Sequence, residues 1–276
     1  MIKKTWIVLL ISFVFAGTLG AQSFNSLLGD ESILNAQTKQ VNQFFRRFNA
    51  EESTSGDRYY PGDKNYRNPD LRKRYLNILF DNQNATLTDP LKNEFINVVL
   101  NPGSPAFLDF HEGQWFTEVA TKFTYLGKEE PVTLFLKLEE ENQGYKWVIS
   151  NLYFSQFHDL FHNHDSNDQR FLHPLSHELD FMNLIRVFKD KEYVEQYTAS
   201  DYHPDYLTLF LYEFKKGNLV FKSVTSVKFH FFQVPGWYFE LSEFNRPGTN
   251  AGWLISSMLK LNKNDKDLLL KYLYHE

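Results

Sequence analysis

Histidine is concentrated in one stretch of this 276-residue chain, and imidazole both binds metals and titrates near neutral pH. Five of the nine histidines lie between positions 158 and 177. Four of them form two pairs with a spacing of four residues, His158 with His162 and His173 with His177. On a helix this spacing brings two imidazoles to one face, an arrangement that suits Zn²⁺ or Cu²⁺ when a carboxylate completes the ligand set.

This histidine-rich segment has three interpretations. As a metal site it would draw on Asp159, Asp165 or Glu178, although both pairs lack the glutamate of an H-E-x-x-H metalloprotease. Its composition is also typical of a polar, solvated linker whose Ser176 caps the following helix, and we favour this second interpretation. The third is a pH-responsive hinge, since histidine changes its charge near neutral pH.

Aromatic side chains at alternate strand positions are a second set of candidates, because they could line a pocket between a sheet and its helices. The period of two favours ordinary core packing over a pocket. The candidates are Trp115, Phe123, Tyr125 and Trp147 in the first half, and Phe229, Phe231, Trp237, Tyr238 and Trp253 in the second.

Arginine beside phenylalanine on a predicted helix is a third candidate feature. Arg46 and Arg47 lie there, and Arg186 is the counterpart of Arg46 in a similar later segment. Such a guanidinium pairs with a buried carboxylate or a ligand anion, or it extends along the surface into water, which is the more common outcome. The acidic run 139–141 is typical of a solvated turn. The sequence has no phosphate loop, dinucleotide fingerprint or nucleophile elbow, so we predict no catalytic or cofactor-binding residues.

The N-terminus has the pattern of a secretory signal peptide. Lys3 and Lys4 precede an apolar run from Trp6 to Phe15. Small residues at 18 and 20 predict cleavage before Ala21, and cleavage after Ala21, with the less suitable Leu19 at −3, is the close alternative. We therefore expect residues 1–20 to be removed and the protein to be periplasmic or secreted. An uncleaved anchor is the alternative, although the run is short for a membrane span, and no later stretch is long enough.

Composition narrows the classes of partner. The chain has no cysteine, so disulfides, thiolate metal sites and a lipobox are excluded. Loss of two lysines with the signal peptide changes the formal net charge from −5 to −7. A surface of this sign does not attract nucleic acid or anionic lipid, and we predict neither nucleic-acid binding nor an integral membrane span in the mature chain.

An internal repeat predicts the architecture. Residues 41–52 read VNQFFRRFNAEE, and residues 181–192 read FMNLIRVFKDKE. Lys122-Phe123 is followed after 25 positions by a strand that begins at Trp147. Lys228-Phe229 is followed, also after 25 positions, by a strand that begins at Trp253. A repeated order of elements indicates two copies of one fold in tandem.

Hydrophobic periodicity predicts helices followed by strands in each copy. The first copy has expected helices over about 32–48, 69–80 and 88–101, and a three-strand meander over about 117–153. The second has helices over about 177–188 and 191–197, then strands over about 206–215, 219–232, 236–244 and from Trp253. A last helix is predicted from Asp265, and Gly127 and Gly236 are the expected sites of strand bulges.

Helices followed by a twisted antiparallel sheet resemble the NTF2-like family, the cystatin-like α+β cone. Closing strands of that family carry a pattern like residues 145–150, YKWVIS, which reads AGWLIS at residues 251–256 in the second copy. The resemblance implies an α+β fold with two tandem NTF2-like domains, each with N-terminal helices packed on a curved antiparallel sheet. The expected division is 21–156 and 177–276 for the domains, with 157–176 as a histidine-rich linker.

The resemblance leaves function open, because the family includes enzymes and non-enzymatic binding modules. We predict a non-enzymatic module that recognises a small molecule, a peptide or an envelope protein, without a cofactor unless the histidine-rich segment binds Zn²⁺. One alternative is an isomerase- or hydrolase-type enzyme with a pocket histidine or aspartate. The other is a structural subunit of an envelope assembly.

Overall fold

One curved, six-stranded antiparallel sheet with helices around it forms the α+β architecture of the protein. A computed structural model describes residues 41–142, 144–161, 184–189, 191–262 and 264–275. The helices are α1 (residues 41–49), α2 (Pro69–Ile78), α3 (Asp89–Val99), α4 (Ser155–His158), α5 (Leu184–Lys189), α6 (Tyr206–Lys216) and α7 (Asp265–Tyr274). The strands are β1 (Trp115–Tyr125), β2 (Lys128–Glu141), β3 (Gly144–Tyr153), β4 (Leu219–Phe231), β5 (Trp237–Phe244) and β6 (Gly252–Lys260).

The starts of α2 and α3 follow from local sequence signals. Asn68 Oδ1 accepts hydrogen bonds from the backbone N–H groups of Asp70 and Leu71, and Pro69 supplies a first position that needs no N–H partner. Thr88 precedes α3 in extended conformation, with Pro90 in the first turn. The predictions of α2, α3 and α7 are confirmed, whereas the helix predicted over 191–197 is a single 3₁₀ turn, Val194–Tyr197.

The strand predicted over residues 206–215 is wrong, because this segment forms α6. Leucines at 207, 209 and 211 imitate strand alternation, but the local capping signals are helical. Asp205 accepts the N–H of Thr208 at the start, and Gly217 ends the helix in left-handed conformation with φ of 80°. The second copy therefore contributes three strands to the sheet, as the first does.

The six strands run in the order β3-β2-β1-β4-β5-β6, so the two three-strand meanders join through β1 and β4. The junction is antiparallel, and Ala120 lies opposite Ser226. These two residues are 106 positions apart, the same offset that separates Trp147 from Trp253. The two three-strand meanders are therefore related by an approximate twofold axis through the centre of the sheet.

The sheet bends at register shifts, but not at the predicted glycines. Shifts occur between Ala120 and Thr121, between Lys122 and Phe123, and at one place each in the β2–β3 and β5–β6 pairs. Gly127 lies in the β1–β2 turn and Gly236 in the turn before β5, with φ of 86° and 74°. Both glycines serve turns, where positive φ favours glycine, so the predicted bulges there are wrong.

The largest core cluster mixes the two copies. Helices α1 to α3 belong to the first copy, but their apolar side chains pack mainly on strands of the second. Phe48, for example, stacks on Phe239 of β5, with ring centroids 6.1 Å apart. The cluster also contains Phe44, Phe95, Trp115, Phe229, Phe231, Trp237, Trp253 and Ile255. The prediction of two tandem domains is not confirmed by this arrangement.

Two further clusters use the remaining helices. Helix α6 of the second copy packs Phe210 against Phe123 of β1, with Leu152 of β3 in the same cluster. Helix α7 covers the opposite face of the sheet, where Phe116, Phe135, Phe232 and Tyr238 are buried. Among the described helices, none combines the length and the apolar character that crossing a bilayer requires.

Candidate functional site

An open groove of about 520 Å³ lies at the turn end of the β5–β6 hairpin, and we call it the hairpin groove. One wall comes from α1 through Gln43, Phe44 and Arg47. The C-terminal end of α2 contributes Ile78 and Leu79. The hairpin supplies the rest of the lining: Glu243, Phe244, Asn245, Arg246, Thr249, Ala251, Gly252, Trp253 and Leu254.

A hydrogen-bonded clamp holds the hairpin against the segment after α2. Arg246 Nη2 donates to Asp81 Oδ1 at 2.6 Å, and its Nε donates to the backbone oxygen of Asn250 at 2.7 Å. Asn250 Nδ2 in turn donates to the backbone oxygen of Phe80 at 2.8 Å. These three hydrogen bonds join Arg246, Asp81, Asn250 and the backbone of Phe80. They therefore fix the geometry of this end of the groove in the absence of a ligand.

Backbone pairing reinforces the clamp along the edge of β6. The N–H of Ile255 donates to the oxygen of Leu79 at 2.8 Å, and the N–H of Asp81 donates to the oxygen of Ile255 at 3.0 Å. This short parallel bridge covers polar groups that an edge strand otherwise leaves unpaired. It also holds Leu79 beside the hairpin.

Trp253 is a buried member of the groove lining. Its ring meets Phe229 edge-on, with centroids 4.8 Å apart, so the core holds the indole in place. Its Nε1 is buried, and no acceptor for it lies among the described residues. A buried donor without an acceptor costs about 1–3 kcal/mol.

Arg47 brings a positive charge to the groove. It shares the fully buried carboxylate of Glu52 with Arg46, and Gln43 Nε2 also donates to Glu52 Oε1 at 2.9 Å. Arg46 takes the better contact, with Nε 2.8 Å from Oε2, whereas Arg47 Nε lies 3.4 Å from Oε1. Both arginines therefore pair with a buried carboxylate, one of the alternatives that the sequence left open, while their side chains stay 31% and 38% exposed.

A separate buried polar chain lies on the opposite face of the sheet, beneath α7. His230 Nε2 is 2.9 Å from Glu118 Oε2, and His230 Nδ1 is 2.8 Å from Tyr238 Oη. The imidazole is fully buried and stacks on Phe116, with centroids 4.7 Å apart. With the proton on Nε2, His230 donates to Glu118 and accepts from the tyrosine hydroxyl, so every polar atom of the ring is satisfied.

The pKa values of the two outer groups follow from their surroundings. Burial raises the pKa of Glu118, but the hydrogen bond from His230 and the electrostatic interactions with His230, Lys228 and His275 outweigh burial and lower it overall. Burial, together with the carboxylates of Glu240 and Glu118, raises the pKa of Tyr238 far above its ordinary value. Tyr238 therefore stays protonated and Glu118 ionised at neutral pH.

Of the four predicted metal ligands, only His158 belongs to the described residues; His162, His173 and His177 lie outside them. His158 ends α4 and stacks on Tyr206, with centroids 4.0 Å apart. The residues that the structure describes contain no group of three metal-binding side chains. The metal site, the linker and the pH-responsive hinge all stay predictions.

The aromatic candidates are mainly core residues, as their spacing indicated. Trp115, Phe229, Phe231, Trp237 and Trp253 are buried in the largest cluster, and Trp253 alone of the nine candidates also lines the hairpin groove. The sequence did not identify the Glu118–His230–Tyr238 chain, since 112 positions separate Glu118 from His230. The only signal for this chain in the sequence is that Glu118 and His230 occupy polar positions of alternating strands. The same pattern is equally typical of a strand face that contacts water.

Arg246 and Asp81 were also missed as members of a site, because 165 positions separate them. Comparison of the chain with family models, with curated proteins and with solved structures finds no match. The resemblance to NTF2-like proteins accordingly stays a prediction.

Proposed function

We propose that this protein is an exported, non-enzymatic binding module that takes a small molecule or a peptide end in the hairpin groove. The observation that carries the proposal is the buried Trp253 Nε1, which has no acceptor among the described residues and belongs to a side chain of a groove-lining residue. Without a ligand, the buried indole N–H of Trp253 lowers the stability of the protein because it makes no hydrogen bond with the described residues. A ligand that supplies an acceptor removes this cost.

The construction of the groove supports binding. The Arg246–Asp81–Asn250 clamp and the β6 edge bridge order its polar walls in advance, which lowers the entropy cost of taking a ligand. Apolar contact surface is also present at Ile78, which is 53% exposed, and at the half-buried Phe244. The rest of the accessible lining is mainly polar, which suits a ligand held by hydrogen bonds.

The composition of the groove favours binding over acid–base chemistry. Its described lining contains one carboxylate, Glu243, and no imidazole or thiol. An enzyme that uses a pocket histidine is the second candidate, and the Glu118–His230 pair is the observation that favours it. His230 is fully buried beneath Phe116 and α7, so a substrate reaches the imidazole only if α7 moves. A structural subunit of an envelope assembly is the remaining alternative.

A fragment screen with matched tryptophan variants tests the binding proposal. Wild-type mature protein is screened by saturation-transfer NMR against aromatic and aliphatic carboxylates, amides and alcohols, and hits are titrated by calorimetry. We expect at least one hit whose affinity falls about two- to tenfold in Trp253→Phe, which keeps an aromatic ring but removes the N–H.

Trp147→Phe is the matched control, because Trp147 packs edge-on to Trp115 at 5.5 Å and does not line the groove. This variant should leave the same affinities unchanged. Two outcomes would overturn the groove as the binding site. In the first, both tryptophan variants bind every hit as tightly as wild type does. In the second, the screen gives no hits at millimolar concentration.

A further inference from the structure

We infer that the protein pairs with a second copy of itself, edge to edge, through the outer side of β3. The inference is independent of the hairpin groove. Three properties of β3 point to a second copy: an edge that is open although its counterpart is covered, an apolar row that is symmetric about Trp147, and a charge that is neutralised within the chain.

The two edges of the sheet can be compared position by position. Strands β3 and β6 form the edges, and the offset of 106 positions that relates the two meanders makes Ile149 of β3 the counterpart of Ile255 of β6. In both strands the register with the neighbouring strand then skips one residue, Ser150 in β3 and Ser256 in β6. The edges therefore have the same course, and a difference in their cover is a difference in what surrounds them.

Only one of these edges is covered by described residues. Ile255 is fully buried, and its backbone exchanges hydrogen bonds with Leu79 and Asp81. Among the described residues, no backbone group outside β2 bonds to residues 144–149 of β3, and Ile149 is 37% exposed. An uncovered strand edge offers N–H and C=O groups to another strand, so β3 has room for one more strand beside it.

The side chains along this edge complement themselves. Tyr145, Trp147 and Ile149 alternate along β3 and therefore lie on one face of the sheet. Tyr145 is 46% exposed and Trp147 is half-buried. In antiparallel pairing with Trp147 on the twofold axis, Trp147 lies opposite its own copy, and Tyr145 lies opposite Ile149 of the second copy. Each of the three thus gains an apolar cross-strand neighbour.

The charges of the region permit this pairing. Lys146 is the one charged side chain of β3, and its Nζ lies 3.0 Å from Glu141 Oε1 of the same chain. The strand therefore keeps no net charge that would select a charged foreign peptide or repel a second copy. Antiparallel pairing also places the acidic runs 139–141 of the two copies at opposite ends of the paired segment, where they repel each other little.

The pairing closes as a weak dimer. It joins Gly144 to Ser150 of the second copy, so it uses the part of β3 that precedes the register shift. The bridge on β6 covers the middle of the other edge, so the contact is a twofold one that ends at two copies. Because residues 144–150 are far fewer than the roughly 20–30 residues per side of a standard interface, we expect a Kd on the order of 10 μM.

Directed disulfide formation tests the register, because the chain has no cysteine of its own. Tyr145→Cys and Ile149→Cys are purified reduced, mixed at about ten times the expected Kd and oxidised mildly. We expect the mixture to give at least about tenfold more covalent dimer, with one chain of each variant, than either variant alone. Directly opposite residues lie about 4.5–5.5 Å apart at Cα, within the range of a disulfide, whereas two residues 145 lie about 13 Å apart.

Sedimentation equilibrium with charge variants tests the edge itself. Wild-type mature protein should dimerise reversibly, and Ile149→Lys should weaken the dimer by at least about tenfold, since a charge in the apolar row opposes pairing. Leu268 is the matched control site, because it is 67% exposed on α7, outside β3. Leu268→Lys should leave the dimer unchanged, and Leu268→Cys should form no disulfide with either strand variant. A melting curve of each variant confirms that the fold is retained.

Each contrary outcome overturns a defined part of the inference. Covalent dimers of Tyr145→Cys with itself, as abundant as those of the mixture, overturn the register. Equal oxidation of Leu268→Cys with the strand variants shows random collision and overturns the specific contact. A dimer that Ile149→Lys does not weaken overturns β3 as the interface. A protein that stays monomeric at ten times the expected Kd and above overturns the second copy as occupant and leaves the edge to an extended peptide of another protein. Tyr145 and Ile149 do not line the hairpin groove, so none of these results bears on the proposed function.

Discussion

Buried charge in this protein is held by pairing and by hydrogen bonds. Arg72 is 1% exposed, and it donates to the backbone oxygens of Phe48, Val99 and Ala106 while its guanidinium lies over the ring of Phe107. Burial, with a smaller contribution from the charge of Arg67, lowers the pKa of Arg72 to about 10, so it remains charged at neutral pH. One side chain thus joins α1, the end of α3 and the loop after it, which are the elements that hold Arg47 at the groove.

Glu118 makes stability depend on pH. Its pKa is lower in the folded protein than the ordinary value of 4.5, so the carboxylate stabilises the fold above that pH and loses this effect as the pH falls through the folded pKa. We expect Glu118→Gln to lower the free energy of unfolding at pH 7, and the difference from wild type to shrink as the pH falls below 4.5. Urea unfolding at pH 7 and at pH 3.5 measures both differences.

Glu140→Gln is the control for this experiment, because Glu140 is exposed on β2. Its unfolding free energy should follow wild type at both pH values, since exposed substitutions usually change stability by less than about 0.5 kcal/mol. A Glu118→Gln difference that is constant between the two pH values would contradict a role for the ionised carboxylate.

Helix α6 shows how local capping decides the type of an element. Asp205 Oδ1 accepts the N–H of Thr208 at 3.0 Å, and Oδ2 accepts its hydroxyl at 2.6 Å. These hydrogen bonds lower the pKa of Asp205 and satisfy donors that a helix start leaves open. The same residues 206–216 have a strand-like alternation of leucines, so the cap and the left-handed Gly217 select the helix.

Loss of this cap should destabilise the protein by a moderate amount. We expect Asp205→Ala to reduce the free energy of unfolding by about 1 kcal/mol, the usual value of an N-cap side chain. Urea denaturation monitored by circular dichroism measures the change. Asp201→Ala is the comparison, because Asp201 is exposed and precedes the helix, and it should fall within about 0.5 kcal/mol of wild type. Equal effects of the two variants would show that the cap contributes no more than an ordinary surface residue.

At the scale of the whole molecule, the two copies of the repeat depend on each other. Strands β1 and β4 are hydrogen-bonded from Trp115 opposite Phe231 to Tyr125 opposite Leu219, and helices of each copy pack on strands of the other. A segment cut between the copies would expose two long strand edges and most of the largest cluster. Exposed edges and apolar faces of this size promote aggregation.

Expression of residues 21–156 alone tests this dependence. We expect the segment to lack a cooperative thermal transition and dispersed amide resonances, because its helices lose the β4–β6 surface on which Phe48 and Phe95 pack. Co-expression with residues 157–276 should restore the transition. A sharp transition of 21–156 by itself would instead support the division into two tandem domains.

Local patterns were sufficient to predict most elements, but not their partners. Asn68-Pro69 and Thr88-Asp-Pro90 carry start signals that act within one turn, and α2 and α3 begin where these signals lie. The same reasoning failed at 206–215, since two periodicities coexist there and only the capping geometry distinguishes them. The candidate site was found only in part: Arg47 and Trp253 were singled out for separate reasons, and nothing in their spacing placed them in one groove.

The sequence by itself determined the repeat, the type and order of most elements outside residues 206–215, and the alternation that gives each strand an apolar face. These properties depend on neighbours within a few residues, through hydrogen bonds, capping and periodicity. The tertiary structure decided that β1 pairs with β4, that the helices of one copy cover the strands of the other, and that Arg246 reaches Asp81. Such pairings join residues that lie far apart in the chain, 165 positions in the case of Arg246 and Asp81. What selects them is the apolar area that the assembled sheet buries, a quantity that exists only once the chain has folded.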